Sequence, residues 1–161
     1  MNETFNRRQI VTTVERPDLI DTAAEWIWSA FWKKNGYSLP EIRALVESSD
    51  AVVGPSQCLL LLIDGVPVGT AGLIKSDLNS RQELTPWLAA MYVRPESRGR
   101  GYALELIRAV EAAAVKAGYD PIWLYTFKAE GLYRKAGWRS VERFEHEGAK
   151  PVLMRRDFKP Q

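Results

Sequence analysis

Met91-Tyr-Val-Arg-Pro-Glu-Ser-Arg-Gly-Arg-Gly-Tyr-Ala103 is the stretch on which the fold turns. The residues leading into it, Trp87 to Val93, form an apolar run that reads as a strand, and Pro95 marks a turn. From Ala103 onward Leu104, Ile107, Val110 and Ala114 recur at helical spacing, with Glu105, Arg108 and Glu111 on the other face. Gly118 closes that helix ahead of Pro121. The turn between strand and helix is crowded with Arg and Gly. A helix's first turn has amide N–H groups without internal partners and a partial positive charge, so it attracts a phosphate. Gly99 and Gly101 let the backbone approach an anion closely, Arg98 and Arg100 add charge, and Ala103 is small where the helix meets the strand. The competing reading is a glycine-softened turn with solvated arginines.

Other phosphate loops fit less well. A dinucleotide fingerprint wants Gly where this chain has Leu104, and wants it in an opening strand–helix unit rather than past mid-chain. No G-x-x-x-x-G-K followed by Ser or Thr occurs.

Outward from this segment, Leu59 to Ile63 and Val66 to Ile74 flank Asp64-Gly65, the pair that a two-residue hairpin turn favours. Nearer the N-terminus, Gln9 to Val14 alternates as a first strand. Pro17-Asp18 opens a helix reaching Lys34 and stopping at Asn35-Gly36, and Ser38-Leu-Pro-Glu41 reads as a capping box for a second helix. Toward the C-terminus, Ile122 to Phe127 is a strand, Ala129 to Ala136 a short helix, and Trp138 to Phe144 and Pro151 to Arg155 two strands joined near Glu147-Gly148. The order β-α-α-β-β-β-α-β-α-β-β predicts an α/β (mixed α+β) fold. Its sheet is mostly antiparallel, strands 4 and 5 are a parallel pair, and helices lie on both faces.

The 161 residues show no repeat or linker, which predicts a single domain over 1–161 with roughly two-thirds of its surface buried on folding. A net charge of only +2, with both signs mixed along the chain, argues against a nucleic-acid or membrane binder. The one cysteine, Cys58, lies in the apolar run Cys58 to Ile63 and reads as inert packing in a reducing compartment. That run is far short of the about 20 apolar residues that cross a bilayer. Met1-Asn-Glu-Thr lacks the pattern of a signal peptide, so the expected location is cytoplasmic. No cluster of His, Cys and carboxylates has metal-ligand spacing, and no metal is expected.

The chain resembles the GNAT superfamily of N-acetyltransferases. Arg98-Gly-Arg-Gly101-Tyr-Ala103 after Val93-Arg-Pro95 is similar to the family's R-x-x-G-x-A signature following a strand that ends in V-x-P. Leu132-Tyr133-Arg-Lys-Ala-Gly137-Trp138 resembles its second landmark, a short helix with Tyr followed by Gly and an aromatic residue. The resemblance implies transfer of an acetyl group from acetyl-CoA by direct attack of a neutral amine on the thioester. In that scheme Met91, Tyr92 and Val93 pair with the pantetheine arm like an added strand, and an N–H near Met91 polarises the acetyl carbonyl. The diphosphate rests on Gly99 to Leu104, with Arg98, Arg100, Tyr102 and Ala103 around it, and Tyr133 is the general acid toward the departing thiolate. Many members carry Asn on the preceding strand where this chain has Thr126, so that pantetheine contact is weakened or replaced. Without the resemblance, Tyr133 reads as a packing residue.

The general base is not legible. Asp77 and Glu83, in the loop ahead of Trp87, are the candidates, directly or through water; the lone His146 reads as an exposed hairpin residue. On the first helix Leu19, Ala23, Trp26, Ile27 and Ala30 form the stripe expected to face the sheet. Trp28 and Trp32 fall on the other side and, with Tyr37, are candidates to line an acceptor pocket; the alternative is that they cover the last hairpin or a subunit interface of a homodimer. The expected acceptor is a small-molecule primary amine. A protein or peptide N-acetyltransferase, or a non-catalytic acyl-CoA-binding module, are the alternatives.

Overall fold

The computed structural model describes residues 7–159, so the Met1 to Thr4 stretch read for targeting lies outside it. The strands are β1 (Arg8–Thr12), β2 (Gln57–Ile63), β3 (Val66–Ile74), β4 (Trp87–Val93), β5 (Ile122–Thr126), β6 (Arg139–Arg143) and β7 (Val152–Arg156). Among the described residues they form one seven-stranded sheet in the order β1-β2-β3-β4-β5-β7-β6. Every neighbouring pair is antiparallel except β4–β5, which is parallel. The expected order and parallel pair are therefore found.

The two sheet faces carry different covers. Leu59, Leu61, Leu73, Leu88, Leu124 and Met154 pack beneath α3 (Tyr102–Lys116) and α4 (Glu130–Lys135), where Leu106, Ile107, Val110 and Ala114 are fully buried. The alternate residues Cys58, Leu60 and Leu62 pack beneath α1 (Ile20–Ile27) and α2 (Leu39–Glu47), against Ala23, Ile27, Ile42 and Val46. Burial on both faces explains the unbroken apolar run in β2. Each fully buried leucine contributes about 2 kcal/mol of transfer free energy. Cys58 is core packing, as expected, and burial pushes its thiol pKa up. The remainder of the second face, Trp87 and Leu153 with Trp123 and Tyr125, lies beneath Leu78 and Leu84 of the β3–β4 connection and Phe144 of the β6–β7 connection.

Local signals behave as their chemistry predicts. Asp64 and Gly65 both adopt positive φ, 52° and 80°, in the β2–β3 turn. Ser38 caps α2: its Oγ accepts from the Glu41 N–H (3.3 Å), and the Glu41 carboxylate turns back to accept from the Ser38 hydroxyl (3.0 Å) rather than from its backbone N–H.

Three expectations need correction. The first helix does reach Asn35, but it widens into a π-helical segment over Trp28–Trp32 and tightens to a 3-10 turn over Lys33–Asn35. The π segment rotates less per residue, so the core-facing stripe loses its phase and Ala30 is exposed. On α3, Leu104 is 41% exposed, while Tyr102 before it and Leu106 and Ile107 after it are the residues turned into the core. Glu111, assigned by spacing to the polar face, is 4% exposed. It accepts from the Trp138 indole N–H (3.0 Å) and pairs with Arg108 (2.8 Å), while the Arg156 guanidinium lies 3.6 Å away. Three donors around one buried carboxylate offset its desolvation. Glu111→Ala is expected to cost about 2–3 kcal/mol, chiefly by orphaning the Trp138 N–H, and Glu111→Gln less, because an acceptor remains. Urea unfolding of the two variants checks this order.

Candidate active site

The sheet splits where β4 and β5 part. Their only matched pair is Trp87 with Trp123, anchored by a bond from the Trp123 N–H to the Pro86 carbonyl (3.0 Å). Beyond it, β4 keeps β3 on one side and has no ladder partner on the other among the described residues. The β3–β4 register jumps from Gly72↔Ala89 to Thr70↔Tyr92, so Ala90 and Met91 stand opposite Ala71 alone. Ala90 takes φ 53°, costly for a residue with a Cβ, and the strand bends there. The bulge and the split lay bare a strand edge along Met91, Tyr92 and Val93. Within it the Val93 carbonyl already accepts from Arg98 Nε (2.9 Å), and the Arg98 guanidinium lies 5.7 Å from the Tyr92 ring centroid.

β4 runs into a donor-rich turn. Pro95–Ser97 makes one 3-10 turn, after which Gly99 and Gly101 take φ 78° and 80°. Gly101 is the N-cap of α3 and no side chain caps that helix. The first α3 amide with a protein acceptor is Glu105, bonded to the Gly101 carbonyl (3.2 Å); among the described residues the N–H groups from Gly99 to Leu104 have none. A Cβ on Gly99 or Gly101 would meet nothing within 4 Å. Glu105, the acid of this first helical turn, is neutralised by Arg8 (2.9 Å), so α3 begins without a net negative side chain. Tyr102 is buried and Ala103 packs on the core, which sets the helix tight against the sheet, while Arg98 and Arg100 are exposed. Free amides, two arginines and open space fit a diphosphate.

Tyr133 projects from α4 into the α3 face of the sheet, where it is 5% exposed and its ring stands edge-on to Trp138 at 6.0 Å. Burial raises its phenol pKa, keeping it protonated at neutral pH. No hydrogen-bond partner for its hydroxyl exists among the described residues. The Trp138–Glu111 bond therefore also steadies Tyr133. Thr126 ends β5, and its Oγ1 accepts from the Ala129 N–H (3.0 Å), starting α4. That hydroxyl proton remains free to donate.

The opposite face of the split holds different chemistry. Asp77 is half-buried in the β3–β4 connection and has no ion pair or hydrogen bond among the described residues; burial pushes its carboxyl pKa up to about 7. Glu83 is exposed and paired with Arg81 at 3.9 Å. The structure thus separates two carboxylates that spacing left equivalent. His146 is not an exposed hairpin residue: its ring packs 5.6 Å from Tyr125 and about as close to Phe127 (6.2 Å) and Phe144 (6.1 Å). Tyr125 and Phe144, missed in the sequence, share the Trp87 side of the sheet. Only the alternation of Tyr125 with Trp123 along β5 hinted at this.

Trp28, Trp32 and Tyr37 gather together, but around one another. The Trp28 N–H donates to the Tyr37 carbonyl (2.7 Å), Lys33 Nζ sits 5.1 Å from the Trp28 ring centroid, and Trp32 meets Tyr37 edge-on at 5.1 Å. Trp26 is the α1 tryptophan that reaches β4, with its ring 5.6 Å from Tyr92. Two hollows of about 300 and 410 Å³ lie over α4 and β6 and along edge strand β1; the second takes in Leu104 and the Arg8–Glu105 pair, and neither includes Asp77, Tyr133 or the tryptophans of the first helix. Among the described residues no group of His, Cys, Asp or Glu is placed to hold a metal, and no helix is long and apolar enough to cross a membrane.

A split sheet with a bared strand edge, leading into a turn of free amides, describes a cleft for an extended molecule that ends in phosphate. The family model described as "Acetyltransferase (GNAT) family" matches residues 20–138, well over half of the chain. The protein belongs to this family of acetyltransferases, whose acyl donor is acetyl-CoA. No curated protein matches it in sequence. Solved structures share the fold. An aminoglycoside 6'-N-acetyltransferase complexed with coenzyme A superposes with TM-score 0.75 at 16% identity, covering 95% of this chain and 98% of that one. A GNAT-family acetyltransferase from Staphylococcus aureus Mu50 gives 0.68 at 20% identity, covering 95% and 100%. An acetyltransferase from Streptococcus agalactiae 2603 gives 0.69 at 15% identity, covering 96% and 100%.

Proposed function

We propose that the whole chain, as one domain, moves the acetyl group of acetyl-CoA to the nitrogen of a small-molecule primary amine, without an acyl-enzyme. The observation that carries this reading is the division of groups across the split. A protonated, buried Tyr133 lies on one face, and an unpaired Asp77 with a pKa near neutrality lies on the other.

Acetyl-CoA supplies a thioester already activated toward amines. Met91, Tyr92 and Val93 hold the pantetheine arm along the bared β4 edge, with Thr126 as a further donor from β5. The amides of Gly99 to Leu104, with Arg98 and Arg100, hold the diphosphate. A backbone N–H at the Met91 bulge, aimed at the acetyl oxygen, contributes about 3 kcal/mol as the carbonyl gains negative charge. Asp77, directly or through one water, takes the proton that the amine loses. Tyr133 gives a hydrogen bond or proton to the departing sulfur. Trp28, Trp32 and Tyr37 shape the outer wall of the acceptor side, and Glu83 stays in solvent.

Thiol release from acetyl-CoA, measured over a panel of amines, tests the reaction; absence of release with every amine while the coenzyme still binds would leave a binding module. Tyr133→Phe is expected to lower kcat by roughly 10- to 1,000-fold and to change coenzyme affinity little. An unchanged kcat, with chemistry shown to be rate-limiting, would return Tyr133 to a packing role.

A further inference from the structure

Four rings close on one spot at the acceptor side of the split. Tyr125 stands edge-on to Phe127 (6.0 Å), Phe144 (6.0 Å) and His146 (5.6 Å), and Trp87 floors the group at 6.3 Å from Tyr125. The group is not sealed, because Phe127 remains 52% exposed. Two carboxylates border it. Both Asp77 and Glu147 hold the Tyr125 phenol pKa above its usual value, after the larger effect of burial, so their charges act on the same ring. Asp77 has no cationic partner among the described residues, and Glu147 has only the His146 ring, at 4.0 Å. Aromatic rings beside two carboxylates, neither with a Lys or Arg partner among the described residues, make a receptor for a cation that the chain itself does not provide.

We infer that the acceptor carries a second positive charge, and that the Tyr125–Phe127–Phe144–His146 cluster, with Glu147, receives this distal ammonium while the reacting nitrogen faces Asp77. The substrate class is an aliphatic diamine or larger polyamine rather than a monoamine. The inference rests on the proposed amine acetylation and adds the chemistry of the acceptor.

The test compares 1,4-diaminobutane with 1-aminobutane, two chains of equal carbon length that differ in the second ammonium. With saturating acetyl-CoA, the wild-type kcat/KM is expected to favour the diamine by about tenfold or more, the scale of one cation–aromatic contact reinforced by a carboxylate. Glu147→Gln and Phe127→Ala, both at exposed positions, should each cut that diamine-to-monoamine ratio about threefold or more. Calorimetric titration of both amines into the protein with coenzyme A present reads the same preference without turnover. Turnover of both amines at equal kcat/KM, or equal binding of the two, overturns the inference and leaves the acetyltransferase reading standing. Preferred binding of the diamine with no turnover supports the cluster and overturns the proposed catalysis instead. A wild-type ratio retained in both variants removes the cluster from recognition.

Discussion

Gly101→Asp is expected to abolish acetyl-CoA binding in a protein that still folds. Gly101 sits at the N-cap of α3 with φ 80°, and the amides on either side of it have no protein acceptor. A new Cβ meets nothing within 4 Å, so the side chain enters the space proposed for the diphosphate rather than the core. Asp tolerates positive φ better than most residues, which limits the folding cost. Its carboxylate brings a like charge within contact distance of the diphosphate. At about 4 Å and an effective dielectric near 20 that repulsion approaches 4 kcal/mol, so an affinity loss of at least about 100-fold is expected even after screening. Calorimetry with acetyl-CoA, beside a thermal melt of the same sample, reads both halves. Wild-type affinity in this variant would sink the assignment of the turn.

Asp77→Asn is expected to slow turnover while stabilising the protein, and the two effects share one cause. The Asp77 carboxyl is raised from its ordinary 3.8 to about 7 by burial alone. A base with that value is half-ionised at neutral pH, so the wild-type kcat/KM profile should contain a limb that rises through about 7. Removing it should lower kcat about 100- to 1,000-fold and abolish that limb of the profile. The stability effect follows from the direction of the shift. Below pH 3.8 the carboxyl is protonated whether folded or unfolded, and it costs nothing. As pH rises toward 7 the unfolded chain releases this proton first, so folding loses stability across that window and stays penalised above it. Asn carries no such penalty. The variant should gain up to about 4 kcal/mol over wild type at pH 8 and little at pH 4. A variant with wild-type turnover would move the proton acceptor elsewhere, and one with no pH-dependent gain would deny the burial of the charge.

Much of the frame was legible because its signals are local. Asp64-Gly65, the Ser38–Glu41 box and the switch from the apolar strand at Trp87 to the helical spacing after Ala103 each act through neighbours within one turn. The donor-rich turn was legible for the same reason. What stayed hidden depends on partners far along the chain. Glu111 looks polar by spacing, yet its burial is decided by Trp138, 27 residues onward. His146 looks like a hairpin surface residue until the β6–β7 connection folds over Tyr125. Asp77 and Glu83 are equivalent by spacing; the β3–β4 loop half-buries one and leaves the other exposed beside Arg81. The π segment at Trp28–Trp32 left no mark, since the same aromatic spacing suits an ordinary helix.

The strand order has a consequence for synthesis. β5, which forms one wall of the split, meets β4 at a single pair and takes all its other ladder bonds from β7. On the ribosome, β1 to β4 and α3 emerge early and can pair among themselves, whereas β5 waits for the strand that is translated last of the seven. The nascent chain thus exposes the donor-rich turn before it owns a cleft. Residues Val152–Arg156 are the latch that converts an early-folding half into a protein able to bring two substrates together.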